Sequence, residues 1–163
     1  MAKMQISGLE NFEKALDRLG DAKEGVMKYA LYEGVKVTKD EILKRLNTLP
    51  VDKPRYLKNG DTYNVVTQAD LEDLKNGLGV AHMQNKNGSV VTSISFDGYG
   101  RQKTSKYPNG RPLLMIARSI ESGSSVRQKL PFVRQAVNAS RTRAVAAMEE
   151  ATHKKLNEIM EGK

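Results

Sequence analysis

The sequence of 163 residues contains no cysteine or tryptophan and has a formal net charge of +8, with 28% charged and 39% hydrophobic residues. Its length fits one domain, residues 1–163, with a substantial core, and the missing cysteine excludes a disulfide framework and thiolate chemistry. No apolar run approaches the roughly 20 residues that span a bilayer, so we expect no membrane partner. The early acidic, amphipathic residues also argue against a signal peptide. The absence of cysteine fits a protein made in a reducing cytoplasm.

The first residues of the chain predict a short strand or an extended arm at 3–7, followed by a helix. Ser7 and Glu10 have the spacing of a capping box, which marks a helix N-terminus. Gly20 then predicts the end of this helix, and Asp21 predicts the N-cap of a second one.

The second predicted helix covers about residues 22–46 and carries a broad apolar stripe. Met27, Leu31 and Val35 follow one another at helical spacing along this stripe. A stripe of this width indicates burial against a sheet or against another subunit.

The middle of the chain predicts loops around one hairpin. Residues 50–64 are polar and rich in turn formers, so we predict an exposed and mobile loop there. Residues 78–96 predict two antiparallel strands joined at Asn87-Gly88, a strong hairpin signal. A second mobile loop, which is basic, is predicted at 98–110.

The last third of the chain predicts a short helix that starts near Pro112 and stops at Gly123, then a basic loop and a long helix over 131–160. The loop contains Arg127 and Lys129, and Phe132 supplies an apolar anchor for the long helix. These patterns together predict an α+β fold, in which a small antiparallel sheet with a hairpin packs against two long helices, N-terminal and C-terminal, plus short helices. The low aromatic content further predicts an aliphatic, methionine-rich core.

The positive charge is unevenly distributed. Residues 1–81 contain 13 Lys/Arg and 13 Asp/Glu, whereas residues 82–163 contain 14 Lys/Arg and 6 Asp/Glu. Ten basic residues lie between Arg101 and Arg143, where Glu121 is the sole acidic residue. This asymmetry indicates either an acidic partner, which would be nucleic acid or protein, or a solvated face that aids solubility.

The sequence contains no recognisable catalytic constellation. His82 and His153 fall in different predicted elements without ligands at metal spacing, and no serine lies in a Gly-x-Ser-x-Gly motif. We therefore expect no enzymatic activity, no cofactor and no metal site.

Several segments resemble the tail-completion (head–tail joining) family of minor structural proteins in long-tailed bacteriophages. They are ISGLENFEKALDRLG at 6–20, the Pro-Val-Asp that starts at Pro50, LGVAHMQNKNG at 78–88 and SFDGYG at 95–100. The most specific one is ARSIESGSSVRQKLPFVRQAV at 117–137, whose Glu-x-Gly and Pro-Phe match the family's own.

The resemblance implies a virion structural protein of the phage neck, made in the bacterial host cytoplasm. Such a protein is expected to form a six-fold homo-oligomeric ring that joins or terminates the tail tube at the head connector and surrounds the DNA channel. Its partners would be the tail tube protein and the connector or stopper proteins, with non-specific contact to DNA.

Two groups of residues become candidate sites on this basis. The candidate assembly interface consists of Met27, Leu31, Val35, Glu121, Gly123, Arg127, Lys129 and Phe132. The candidate contacts to channel DNA or to an acidic partner are Arg101, Lys103, Lys106 and Arg111. Reversing the charge of Arg127 and Lys129 is predicted to spare folding and impair assembly.

A second function remains open from the residues alone, namely a free-standing basic nucleic-acid-binding protein. The cations between Arg101 and Arg143 would then neutralise phosphates, and Tyr99 and Tyr107 would either stack on bases or pack on the sheet.

Overall fold

The computed structural model describes residues 9–56, 62–64, 66–125 and 127–161; for residues 9–18, 21, 55, 56 and 62–64 it describes the backbone alone. The elements in chain order are α1 (Leu9–Asn47), β1 (Pro54–Tyr56), β2 (Thr62–Asn64), α2 (Gln68–Gly77), β3 (Leu78–Val80), β4 (Gln84–Lys86), β5 (Ser89–Val91), β6 (Ile94–Phe96), α3 (Leu113–Ser122) and α4 (Phe132–Met160). Two long helices thus combine with short antiparallel sheets and two short helices, and the predicted α+β class is confirmed.

Helix α1 is continuous from Leu9 to Asn47, so the predicted break at Gly20 is wrong. A single glycine costs a helix only about 1 kcal/mol, which is too little to interrupt an element that packs along a second helix for much of its length. The predicted arm at 3–7 and the Ser7 cap lie outside the described residues.

Helices α1 and α4 form an antiparallel pair, which is the most extensive contact between elements. Residue numbers at the contacts decrease along α4 as they increase along α1. Gly34 lies against Met148, Thr38 against Ser140, and Arg45 against Gln135. The fully buried Ser140 hydroxyl lies 3.2 Å from the Thr38 hydroxyl, which satisfies a polar group between the helices. The broad stripe on α1 is therefore explained largely by α4.

The helix pair approaches closely at Gly34, where an added Cβ would contact the side chain of Met148 and lie 3.1 Å from the Ala144 carbonyl oxygen. The α4 residues that are buried against the rest of the domain are mostly small, including Ala136, Ser140 and Ala144. The larger Val137 is exposed, so close approach of the two helices places small side chains on the buried face of α4.

Gly34→Val is expected to lower the free energy of unfolding by about 1–3 kcal/mol, because the added side chain overpacks the interface with Met148. Gly25 provides a matched control in the same helix, since a Cβ there would meet no described atom within 4 Å. Urea unfolding followed by circular dichroism measures both valine variants. Equal stability of the two would show that close approach at Gly34 is dispensable.

Strands β3 to β6 form one bent ribbon that turns at Asn87-Gly88, as predicted. Both turn residues have positive φ, +52° and +80°, which suits a two-residue hairpin turn. The register changes by one residue between the β3–β6 pair and the β4–β5 pair, because residues 81–83 face only residues 92–93. The ribbon therefore contains a bulge, and its tip contacts α1 through a hydrogen bond between Asn85 and Glu24.

The segment 50–64, predicted as a loop without regular structure, contains the paired strands β1 and β2. Each strand has three residues, which is too short to show alternation in the sequence. Asp52 has φ +52° and its N–H donates to the Val66 carbonyl, so the chain turns sharply where α1 gives way to the sheet. The mobility of this segment stays a prediction.

The core lies where the C-terminal end of α1 meets α2, the ribbon base, α3 and the start of α4. Its buried residues are Ile42, Leu46, Val66, Leu71, Leu74, Leu78, Phe96, Leu113, Ile116, Ala117, Ile120, Phe132 and Ala136. Among the described residues no methionine is fully buried, so the predicted methionine-rich core is wrong. An edge-to-face contact between Phe96 and Phe132, with centroids 6.0 Å apart, lies within this core.

Candidate assembly surface

The connection between α3 and α4 is held by Glu121. Its carboxylate accepts hydrogen bonds from the backbone N–H groups of Val133 (2.8 Å) and Arg134 (3.1 Å). The N-cap residue of α4 is Pro131, which has no side-chain acceptor, so a carboxylate from the preceding helix satisfies the first turn of α4.

Gly123 ends α3 with φ +79°, a conformation that favours glycine. An added Cβ there would lie 3.1 Å from the Lys129 nitrogen and 3.2 Å from the Arg127 oxygen, so the loop folds back tightly on this residue. The Leu130 N–H closes the loop by donating to the Ile120 carbonyl at 2.8 Å. Gly123 is thus required by the geometry of the connection.

Arg127, which the sequence placed in an exposed basic loop, is buried in an ion pair. Its Nη2 lies 2.9 Å from the Oδ2 of Asp70, and the two side chains are 4% and 6% exposed. Arg127 also donates to the Ser119 hydroxyl at 3.2 Å. The prediction that charge reversal at this position spares folding is therefore corrected, because a glutamate here would face a buried carboxylate.

Asp70 has a second role at the start of α2. It forms a reciprocal capping box with Thr67, in which each side chain accepts from the other's backbone N–H. The same carboxylate therefore joins the α2 N-terminus to the loop before α4. The Thr-x-x-Asp spacing that starts at Thr67 is the sequence signal that could have predicted this helix start.

The eight candidate interface residues thus separate into three groups. Glu121, Gly123, Arg127 and Phe132 hold the connection and the core within the chain. Met27, Leu31 and Val35 are half-buried along α1, and Lys129 is exposed.

Met27 lines an apolar groove of about 420 Å³ at the end of the helix pair, together with Val26 and Leu156. The groove also borders Leu19 and Gly20. Met27 is therefore the candidate interface residue of α1 that faces an open apolar space.

Glu121→Ala is expected to lower the free energy of unfolding by about 0.5–2 kcal/mol, because two N–H groups at the start of α4 lose their cap. Thermal unfolding of Glu149→Ala supplies the control, since Glu149 is exposed in the middle of α4, the helix that Glu121 caps. A melting temperature unchanged by Glu121→Ala would show that water caps α4 equally well.

Two of the ten basic residues that looked unopposed in the sequence are paired at the surface with carboxylates from earlier in the chain. The Arg101 Nε and Nη2 contact Asp73 (2.6 Å) and Glu72 (2.7 Å), and Arg143 contacts Glu41 at 2.8 Å. The hydrogen bond from Arg101 lowers the pKa of Glu72, and the one from Arg143 lowers the pKa of Glu41. These two ion pairs therefore contribute their full stabilisation above the ordinary carboxyl pKa. The stabilisation is lost as the pH falls through the lowered pKa values of the two glutamates.

Arg101, a candidate contact to DNA or to an acidic partner, is thus occupied by carboxylates of its own chain, although its side chain is still 58% exposed. The other cations of this region form no ion pair with a described carboxylate. They are Lys103, Lys106, Arg111, Arg118, Lys129, Arg134 and Arg141.

The loop before α3 is closed by backbone hydrogen bonds. The Gly100 N–H donates to the Arg111 carbonyl at 2.8 Å, and Thr104 and Tyr107 exchange two hydrogen bonds of 3.1 and 2.9 Å. Gly110, with φ +93°, lies so close to Gly100 that an added Cβ would clash with its carbonyl oxygen. The prediction that residues 98–110 are mobile remains a prediction, but their conformation is defined.

The ring of Tyr107 lies beside two cations of this loop. The Lys106 Nζ lies 5.8 Å and the Arg111 Cζ 6.0 Å from the centroid of its ring, both within cation–π distance. Its hydroxyl lies 4.0 Å from the sulfur of Met115 in α3. The ring therefore joins the loop to the helix and holds two positive charges beside an apolar side chain.

Apolar side chains are exposed around these charges. Tyr99 is 65%, Leu114 58% and Met115 47% exposed. We call the surface formed by residues 99–111 and the exposed side of α3 (Leu114, Met115 and Arg118) the loop–helix surface. It contains three of the four predicted contact residues, Lys103, Lys106 and Arg111, and none of them forms an ion pair with a described carboxylate.

Within the part of the chain that the structure describes, no three His, Cys, Asp or Glu side chains are grouped so that they could hold a metal ion. Likewise, none of the described helices is long and apolar enough to cross a membrane. Comparisons of the chain with protein-family models, with curated proteins and with solved structures found no match.

Proposed function

We propose that this protein is a non-enzymatic structural component of a bacteriophage neck. It would form a ring that joins or terminates the tail tube at the head connector and surrounds the DNA channel. The loop–helix surface is the observation that carries this proposal, because it combines large exposed apolar side chains with cations that form no ion pair with a described carboxylate, and so suits a joining contact with a neighbouring protein of the neck. Such a combination is typical of protein interfaces, in which Tyr, Met and Arg are enriched.

The resemblance to tail-completion proteins supports the proposal through residues with definable structural roles. Glu121 caps α4, Gly123 supplies the left-handed turn, and Pro131-Phe132 starts the helix and fills the core. The similarity therefore falls on residues that determine how α3 connects to α4. A shared connection of this kind implies a shared way of presenting the outer side of α3.

The proposal is tested by the mass of the full chain in solution, measured by light scattering over a range of concentration and salt, and by negative-stain electron microscopy. We expect a discrete oligomer, six times the 18.1 kDa chain, with a central opening. A monomer at every concentration would contradict self-assembly into a ring.

The alternative function is that of a free-standing nucleic-acid-binding protein, and the Lys106–Tyr107–Arg111 arrangement favours it. Cations beside an aromatic ring suit a phosphate backbone with a stacked base. Titration of duplex DNA at several salt concentrations distinguishes the two functions. A phosphate binder loses affinity with a logarithmic slope of about −0.9 per contact, whereas a ring component shows weak binding without that dependence.

A further inference from the structure

The carboxylates of α2 and of the α3 C-terminus that lie next to the loop–helix surface are already engaged. Asp73 and Glu72 bind Arg101 at the edge of the loop, and Asp70 binds the buried Arg127. Glu121, at the end of α3, is held by the first turn of α4. No described carboxylate forms an ion pair with the remaining cations of the surface, Lys103, Lys106, Arg111 and Arg118, so a negative partner would meet them uncompensated.

The apolar part of the surface favours a protein partner over a nucleic acid. Leu114 and Met115 are aliphatic and thioether side chains on consecutive positions of a helix, and they offer no stacking face for a base. Burying them requires an apolar counterpart, which another polypeptide supplies. Tyr99 adds a further large exposed side chain on the loop.

A second copy of this chain is a poor counterpart. Two of its described glutamates away from the surface already pair with lysines, Glu24 with Lys28 at 2.5 Å and Glu158 with Lys155 at 2.6 Å. The chain carries 27 Lys/Arg against 19 Asp/Glu, so at this positive surface a second copy offers less complementary charge than an acidic protein does.

We propose that the loop–helix surface docks an acidic segment of a different protein, whose carboxylates meet Lys106, Arg111 and Arg118 and whose apolar side chains cover Leu114 and Met115. The choice of a protein partner rests on the proposed assembly function. Ring formation and this docking are separate properties, because the docking partner is not another copy of the chain.

The test uses a fluorescein-labelled peptide in which Glu and Leu alternate, titrated with the full chain and followed by fluorescence anisotropy. The surface variant is Leu114→Ser/Arg118→Gln, and the control is Val137→Ser/Arg141→Gln. Both variants remove an exposed apolar side chain and an unpaired arginine four residues later in a helix, with Leu114 58% and Val137 45% exposed. Lys106→Gln tests the loop side of the surface without altering a helix.

We expect the surface variant to bind the peptide about tenfold more weakly and the control to bind as the wild type does. Lys106→Gln is expected to weaken binding as well. Equal losses in both double variants would overturn the proposal, because they would show attraction by net charge alone. No binding of the peptide by the wild type, or tighter binding of a duplex DNA than of the peptide, would also overturn it.

Light scattering of the same variants separates this inference from the proposed function. A ring that forms without binding the peptide would refute the docking inference alone. A monomer that binds the peptide through Leu114 and Arg118 would refute the ring alone.

Discussion

Arg127→Ala is expected to lower the free energy of unfolding by about 3–5 kcal/mol. The substitution removes the guanidinium that lies 2.9 Å from Asp70 and leaves this carboxylate buried without its charged partner. It also removes the donor to the Ser119 hydroxyl, so the loop before α4 loses a contact to α3 as well. Urea unfolding followed by circular dichroism measures the change.

Lys129→Ala is the matched control for Arg127→Ala, because Lys129 lies in the same loop and is exposed. We expect its effect to stay within about 0.5 kcal/mol. A double-mutant cycle with Asp70→Asn isolates the pair from the capping role of Asp70. Similar stability of the two alanine variants would mean that Arg127 is solvated in solution.

The sequence correctly predicted those helix ends and turns that are marked by residues close to one another along the chain. The final helix was predicted at 131–160 and is observed at Phe132–Met160, and the turn at Asn87-Gly88 is where expected. Pro112 and Gly123 bound α3 as predicted, at Leu113–Ser122. Each of these predictions depends on backbone preferences that tertiary contacts reinforce.

Pairings between distant residues could not be predicted in the same way. Arg127 and Asp70 are 57 residues apart, and Glu41 is 102 residues from Arg143. Charge counted along the chain therefore overstated the positive potential of residues 101–143. The fold places carboxylates of α1 and α2 next to residues 101–143. No periodicity in the sequence indicates which cation each carboxylate binds.

The candidate site was predicted in part. Lys103, Lys106 and Arg111 lie unpaired on the loop–helix surface, as a contact role requires, but Leu114 and Met115 were not recognised as part of it. Leu114 falls close to the apolar spacing of α3, so its exposure depends on which side of the helix the core occupies. That side is fixed by Ile116 and Ile120, which are both buried.

Helix α3 links the core to the proposed docking surface. Its inner side is buried through Ile116 and Ile120, its C-terminal Glu121 caps α4, and its outer side presents Leu114 and Met115. A surface on such a helix is held in position by the core, which limits the conformational entropy that binding has to overcome. Variants in the core should therefore impair binding through stability, whereas variants on the outer side should impair binding alone.

Phe132→Ala provides the strongest test of that core. The ring is 2% exposed at the first position of α4 and contacts Phe96 edge-to-face at 6.0 Å, so its removal leaves a cavity between α4 and the base of the ribbon. We expect a loss of about 3–5 kcal/mol in the free energy of unfolding, measured by urea unfolding. Phe132→Leu, which keeps most of the apolar volume, should lose less, and the exposed neighbour Arg134→Ala should change little. If Phe132→Ala were no less stable than Phe132→Leu, the space around Phe132 would have collapsed around the smaller side chain, and α4 would be anchored by its contacts with α1 instead.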